Sequence, residues 1–328
     1  MIDIAIIGGG VAGLWTLNRL CALGYDAHLF EKTALGSGQT IASQGIIHGG
    51  IKYALTGGLT FSKPPDSPLL PMPERWTNCL RGEGEIDLRS VTVLSRKHEI
   101  RLQNRLVDIP LWVFPEPVLD VKSLIAALAA PHWDFIHLGP PPPARLTIWT
   151  AGRGNEEAAR ATQRRPLRMF MVKPNPFGTP VYLHWVGRNK KPLMTVTTHY
   201  LNEEEVLYLG GNVAEKAVGM TDAEALLWAR SEIQYRFPGI PWHRKQWAIH
   251  DVDRAEPAND GNLPSEPVIE ANGNVAVAWP AKLALAPVLA DRLVEWVRAY
   301  GPATCPATAL ETPRPSIAPY PWETAKWL

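Results

Sequence analysis

The chain predicts an α/β fold made of two unlike layers, on three observations. Its first thirty residues run as strand, glycine turn, helix and strand, the opening of a parallel sheet with a crossover helix. Four strand-like runs then follow at short intervals between 167 and 209, the spacing of antiparallel neighbours. A further strand at 275–278 and an apolar-striped helix over 282–300 return near the C-terminus.

Each element has a local cause. Residues 2–7, IDIAII, form a short apolar run of the kind a strand buried on both faces requires, and 11–23 carries the apolar spacing of a helix. A second strand is expected at 25–30. Beyond Gly36 glycines recur as far as Gly58, and prolines between Pro64 and Pro73 mark a loop. Alternation suggests a strand at 89–95, and Asp120 is placed to cap a helix over 121–130 that leads to a short apolar segment at 135–138. The prolines Pro140 to Pro143 cannot donate ladder hydrogen bonds, so they connect two elements, and 145–150 resumes the sheet. The antiparallel runs are 167–172, 181–186, 193–198 and 206–209. Thr221 and Glu224 have the spacing of a capping box for a helix reaching about Tyr235, before Pro238. The last 28 residues hold six prolines and read as an extended tail over 301–328.

Composition excludes several classes. A chain of 328 residues, 46% hydrophobic and 20% charged, has ordinary globular content, and 33 basic against 32 acidic residues leave a net charge of +1. That balance supplies no field for a nucleic-acid partner or an anionic membrane. Thirteen tryptophans are scattered without basic interleaving, so they suit core and pocket walls better than a base-stacking platform. Cys21, Cys79 and Cys305 are too far apart in sequence for a C-x-x-C pair or a metal cluster. The first apolar run contains Asp3 and is too short for a signal-peptide core, and no run approaches the roughly 20 apolar residues of a membrane span. A cytoplasmic chain without a transmembrane segment is expected.

The chemistry begins at Gly8, Gly10 and Gly13, a G-x-G-x-x-G set between predicted strand and helix. Glycines there permit a tight turn and close approach of backbone to a pyrophosphate, while the N–H groups of the helix start, at Val11 and Ala12, face the anion. Glu31, 18 residues after Gly13 at the end of the second strand and followed by Lys32, is placed to accept hydrogen bonds from ribose hydroxyls. This is a Rossmann-type dinucleotide-binding unit, which does not by itself separate FAD from NAD.

The segment 36–53, GSGQTIASQGIIHGGIKY, resembles the second glycine-rich loop of the FAD-dependent oxidoreductases of the D-amino-acid oxidase and glycerol-3-phosphate dehydrogenase type, the DAO family. Residues 148–152, IWTAG, are similar to that family's strand ending in Ala-Gly, and 273–293 to its final strand and flavin-facing helix. The resemblance implies FAD as cofactor, with Gly8, Gly10, Gly13 and Glu31 at the ADP half, together with Val11, Ala12 and Lys32. Ser43, Gly45, His48, Gly49, Ala151, Gly152, Lys282 and Leu283 are implied along the flavin. It also implies a discontinuous FAD domain over 1–58, 119–155 and 245–300, and a substrate domain over 59–118 and 156–244. Two departures stand out. The small β-meander usual before the Ala-Gly strand is replaced by 139–144 alone, and the glycine-rich C-terminal loop reads Trp279-Pro280-Ala281-Lys282.

The family's reaction, as the resemblance implies it, moves a hydride from a carbon bearing an amine or hydroxyl to flavin N5. The expected substrate is a small amino acid, 2-hydroxy acid or polyol phosphate, and oxygen, a quinone or another acceptor remains open. Alternative readings are a flavin-dependent modifier of a larger substrate, such as tRNA or a biosynthetic intermediate, and a non-catalytic FAD-binding protein. Three residues are singled out for chemistry. His48 is placed to orient substrate, accept a proton or carry a covalent flavin link. Lys282 is placed to stabilise negative charge near N1 and the C2 carbonyl. Arg168, of the cluster Arg164, Arg165 and Arg168, is expected to anchor an anionic group while the other two face solvent. Lys52 and Tyr53 are expected near the pocket. His184 and His199 sit in strand-like segments, where a core or surface position is expected ahead of a flavin-facing one.

Overall fold

The computed structural model describes residues 1–50, 67–103, 108–158, 162–187, 192–259, 264–302 and 310–328. The positions expected of Lys52, Tyr53 and Cys305 lie outside the described residues.

Ile2–Ile7 is buried along almost its whole length because it is central. It pairs in parallel with Ala27–Glu31 on one side, Ile4 beside Ala27, and with Ala144–Trp149 on the other, Ile4 beside Leu146. The full six-stranded sheet runs Val268–Asn272, Val275–Trp279, Ala144–Trp149, Ile2–Ile7, Ala27–Glu31, Ile136–Leu138. Val11–Ala22 and Ala286–Arg298 pack against each other as helices over this sheet. Arg19 and Arg75 both donate to Asp291, at 2.8 and 2.7 Å, and pin the second of these helices. The C-terminal helix begins later than its sequence suggests, because Leu283–Leu285 is a 3-10 turn ahead of Ala286.

The second sheet has seven strands in the order Gln246–Pro257, Thr162–Lys173, Glu204–Gly210, Pro192–Leu201, Tyr182–Val186, His98–Gln103, Asp108–Phe114. All its described pairings are antiparallel except Tyr182–Val186 with His98–Gln103, so the expected mostly antiparallel layer is present. The helix Asp222–Arg236 closes its outer face over Phe170, Trp185 and Trp247. Thr221 and Glu224 make the predicted reciprocal cap, and the Asp120 side chain caps Val121–Ala129 through Ser123 N–H at 2.8 Å.

The chain divides between the layers differently from the expected ranges in three places. Gln246–Pro257, expected with the dinucleotide-binding layer, is the edge strand of the seven-stranded sheet. The helix Met72–Arg81, expected in the substrate domain, belongs to the core of the first layer: Trp76 lies 4.6 Å from Trp15 between ring centroids, and its indole N–H donates to Ala284 O at 3.0 Å. The described part of the tail, 310–328, is not loose, and it contains a short helix, Pro321–Thr324. Leu35 and Ala318 exchange backbone bonds with the opposite segment through Ser316 O at 2.8 Å and Leu35 O at 3.0 Å, and Trp247 and Leu328 bond each other at 3.0 and 2.8 Å. Tyr320 and Trp322, stacked at 4.3 Å at the start of that helix, bury their rings beside His199. The strand expected at 89–95 is reduced to Val93–Ser95, since Asp87 accepts from Arg89 N–H at 3.1 Å and turns the preceding residues.

Trp322 is 1% exposed. Trp322→Ala is therefore expected to destabilise the fold by about 3–5 kcal/mol, the range for deleting a large buried aromatic. An unchanged denaturant midpoint would show that the tail contributes nothing to the folded state.

Candidate active site

The glycine turn works by removing side chains at two contacts and opening space at a third. A Cβ on Gly13 would lie 2.1 Å from Gly8 O, and one on Gly8, whose φ is +107°, would lie 2.6 Å from Ala151 Cα. Gly8 and Gly13 thus allow the first helix to begin directly against the strand ends. Gly10 faces the cavity instead, with Thr40 Oγ1 at 3.0 Å as its nearest neighbour. Val11 N–H donates to Thr40 Oγ1 at 3.2 Å. Glu31 is held from behind: Oε2 accepts from Gly9 N–H at 2.8 Å and Oε1 from Thr33 N–H at 3.0 Å. The buried carboxylate still lines the cavity, with Lys32 exposed beside it.

The cavity measures about 1470 Å³. That exceeds the roughly 300–1,000 Å³ of an ordinary small-ligand pocket and suits a dinucleotide with room for a substrate. Gly8, Gly10, Val11, Ala12, Glu31, Lys32, Ser43, Gly45, His48, Ala151, Gly152, Lys282 and Leu283 all line it. Gly13 and Gly49 do not. Gly13 backs the turn, and Gly49 gives its N–H to Glu116 Oε1 at 2.7 Å with its α-carbon against Pro73. Gly45 reaches the cavity, yet its φ of +70° and the 2.2 Å separation of a Cβ from Leu119 O make packing its main requirement.

Two buried polar atoms of the wall, Ser43 Oγ and Trp279 Nε1, have no partner among the described residues. Buried polar groups in folded proteins are nearly always bonded, so these atoms fit a polar ligand along this wall. Together with the glycine turn and Glu31, they match the donors and acceptors an adenine dinucleotide requires.

Two turns shape the far end. Asn155 is fully buried, accepts from Ala151 N–H at 2.8 Å and donates to Ala278 O at 3.0 Å, which fastens the Ala151-Gly152 turn to the last parallel strand. Ala281 has φ +60°, and Lys282 N–H bonds Pro280 O at 2.7 Å, so a non-glycine residue occupies the left-handed centre of a tight γ-turn. Such a conformation costs on the order of 1–3 kcal/mol and persists only where the surroundings impose it. Lys282 is thereby brought to the cavity wall. Burial depresses its pKa, and Glu256 opposes that shift.

The seven-stranded sheet supplies the opposite wall, and here the sequence expectation is corrected. Side chains alternate along Thr162–Lys173, so Arg165, Leu167 and Met169 face the cavity and Arg168 does not. Arg168 donates to Asp251 at 2.8 Å and also engages Asp222 and Met220 O, which makes it a surface clamp. Arg165, expected to face solvent, lines the cavity instead, and Arg254 stands directly across from it in register. Arg254 Nε donates to Arg165 O at 2.9 Å. Glu215 Oε1 lies 3.4 Å from Arg165 and 3.5 Å from Arg254, and Glu256 lies 3.3 Å from Arg165. Burial, followed by the neighbouring Arg165, lowers the Arg254 pKa. Arg164 stays at the rim, paired with Glu156 and Asp253.

Of the two strand histidines, His184 lines the cavity and His199 does not. His199 is buried beside Trp322, bonds Thr197 Oγ1 at 2.9 Å and is pushed down to about 4 by burial. Asn155, Arg254 and Glu116 were missed from sequence. None belongs to a local motif, and only strand pairing or chain return brings them to the site.

A family model described as "FAD dependent oxidoreductase" (DAO) matches residues 3–108. The chain is 36% identical to the probable FAD-dependent oxidoreductase PA4991 of Pseudomonas aeruginosa, over 98% of each chain. The crystal structure of PA4991 superposes with a TM-score of 0.85 at 35% identity, covering 98% of this chain and 97% of that one. More distant structures share the fold. Glycine oxidase from Geobacillus kaustophilus gives a TM-score of 0.60 at 14% identity, covering 94% and 98% of the two chains. The glycerol-3-phosphate dehydrogenase of Bacillus halodurans, complexed with FAD, gives 0.58 at 13%, covering 94% and 66%. Among the described residues no helix is long and apolar enough to cross a membrane.

Gly13→Ala drives a methyl group onto Gly8 O and is expected to abolish FAD retention, whereas Glu31→Ala should weaken it by roughly 1–3 kcal/mol through loss of charge-assisted bonds. FAD-to-protein ratios after gel filtration and titration of the apoprotein measure both. Retention equal to the parent in Glu31→Ala would remove that carboxylate from the binding site.

Proposed function

Because this chain belongs to the DAO family of FAD-dependent oxidoreductases, we propose that it oxidises a C–H bond beside an amine or hydroxyl in a small substrate bearing a carboxylate or phosphate. The observation that carries this reading is the convergence of cations on one wall of the cavity. Arg165 and Arg254 stand across from each other in register, and Lys282 lines the same cavity, with Glu215 and Glu256 beside the two arginines. Guanidinium groups engage a carboxylate or phosphate in paired bonds, and the separations of 3.3–3.5 Å from Glu215 and Glu256 are longer than those of a tight ion pair. The names of the glycine oxidase and glycerol-3-phosphate dehydrogenase that share the fold agree with a small substrate.

FAD supplies the hydride acceptor when bound. The chain's own residues bind and orient. The glycine turn, the helix start at Val11 and Ala12, and Glu31 would hold the ADP half, and Ser43, Ala151, Gly152 and Trp279 would line the ring end. Arg165 and Arg254 hold the substrate anion, so that its reacting carbon is presented at a fixed distance. Lys282 places a cation on the same wall. Its depressed pKa means that this charge is lost at a lower pH than for an ordinary lysine, as pH rises through the folded-state value.

Anaerobic mixing with a panel of amino acids, 2-hydroxy acids and polyol phosphates is expected to bleach the yellow FAD with at least one anionic member. No bleaching across the panel would refute the small-substrate reading and favour a larger substrate or a binding role. With a substrate in hand, Arg254→Ala should raise KM by about 10- to 100-fold with kcat less affected, the mark of a lost binding contact. Equal KM values would remove the anion anchor.

Lys282→Met should lower the FAD midpoint potential by roughly 30 mV for each 1.4 kcal/mol of lost charge stabilisation. It should also abolish the part of the alkaline dependence of the potential that titrates with Lys282. An unchanged potential with FAD fully bound would place the ammonium away from the ring.

A further inference from the structure

We propose that His48, Glu116 and His184 form a divalent-metal site, suited to zinc, in the wall of the cavity. The three residues come from separate parts of the chain: the glycine-rich segment, the approach to Val118–Leu119, and the strand Tyr182–Val186. No sequence spacing joins them, yet one ligand atom from each lies within 4.8 Å of the others. Two imidazoles and one carboxylate are a recurrent set for zinc and related ions, which accept nitrogen and oxygen ligands together.

One pair of these atoms already stands at the separation of two ligands on one ion. His48 Nδ1 and Glu116 Oε2 are 3.5 Å apart, at the far limit for hydrogen bonding. Two ligands on one tetrahedral zinc, with bonds of about 2.0–2.2 Å, stand roughly 3.3–3.6 Å apart. Each flanking group is also oriented as a metal ligand requires. Glu116 Oε1 is occupied by Gly49 N–H at 2.7 Å, which turns Oε2 toward His48. His184 Nδ1 bonds Thr195 Oγ1 at 2.7 Å, which fixes the orientation of its ring as an outer-shell partner does for a metal-bound imidazole. His98 packs against His184 with ring centroids 4.1 Å apart.

Two of the three ligands are buried, Glu116 at 2% and His184 at 1% exposed, so an ion held by them would be kept largely out of bulk water. His48 and His184 line the cavity, so a fourth coordination position opens inward, where a water or a substrate oxygen or nitrogen completes the shell. The site is independent of the substrate assignment, since neither the ligands nor their spacing depend on which small molecule is oxidised.

The test uses the FAD-loaded protein, treated with a chelator, dialysed and titrated with Zn²⁺ by calorimetry, with retained metal measured by mass spectrometry after desalting. One equivalent per chain is expected. Glu116→Gln and His48→Gln should each weaken binding by at least about 100-fold, while His243→Ala, a change at an exposed histidine away from the cavity, should leave it unaltered. Parent protein that takes up no zinc at about tenfold excess overturns the proposal without reference to any variant. So does stoichiometric binding that survives both substitutions with FAD content intact, or that disappears in His243→Ala.

Discussion

The rest of the molecule depends on a contact that only a missing side chain allows: the approach of the first helix to the carbonyl of Gly8, where a Cβ on Gly13 would stand 2.1 Å away. That approach sets the helix start against the ends of the parallel strands. Its N–H groups then face the cavity at the place where Glu31 arrives from the neighbouring strand. Thr150 ties the same carbonyl to the next strand at 3.2 Å, so three strand ends and one helix end meet at one point. Ligand position follows from this geometry, because an anion at the turn is held by backbone whose direction the sheet has already determined.

The second layer is joined to this point by polar bridges as well as packing. Gln44 donates to Tyr208 O at 2.9 Å and Thr197 Oγ1 at 3.1 Å, so the glycine-rich segment is fastened to the middle of the seven-stranded sheet. Tyr208 returns a bond to Ala42 O at 3.0 Å. The C-terminal tail crosses from Leu35 to Trp247 and binds both layers together. A cavity between two sheets keeps its shape only if the sheets cannot slide, and these bonds resist that motion.

The wall itself concentrates charge in a partly dry place. Like charges facing across neighbouring strands, as at Arg165 and Arg254, destabilise a sheet unless carboxylates lie between them. Glu215 and Glu256 do so at distances longer than an ideal ion pair. The arrangement holds two cations side by side on one wall of the cavity. The strained turn at Ala281 brings Lys282 to the same cavity.

Sequence alone determined what depends on neighbours within a few residues. The glycine turn, the caps at Asp120 and Thr221, the apolar central strand and the alternation of the antiparallel strands were legible because each is set by residues no more than about five positions apart. The family was legible because its glycine-rich segments recur in order along the chain. What tertiary structure decided was which face of each strand met the cavity. Arg168 and Arg165 look alike in sequence, and strand register with Gln246–Pro257 alone separates a surface clamp from a cavity wall and brings Arg254 across from position 165. Met72–Arg81, Asn155 and the proline-rich tail took their roles in the same way, from partners far along the chain, since burial of Trp76 or Trp322 depends on a surface that no local pattern encodes.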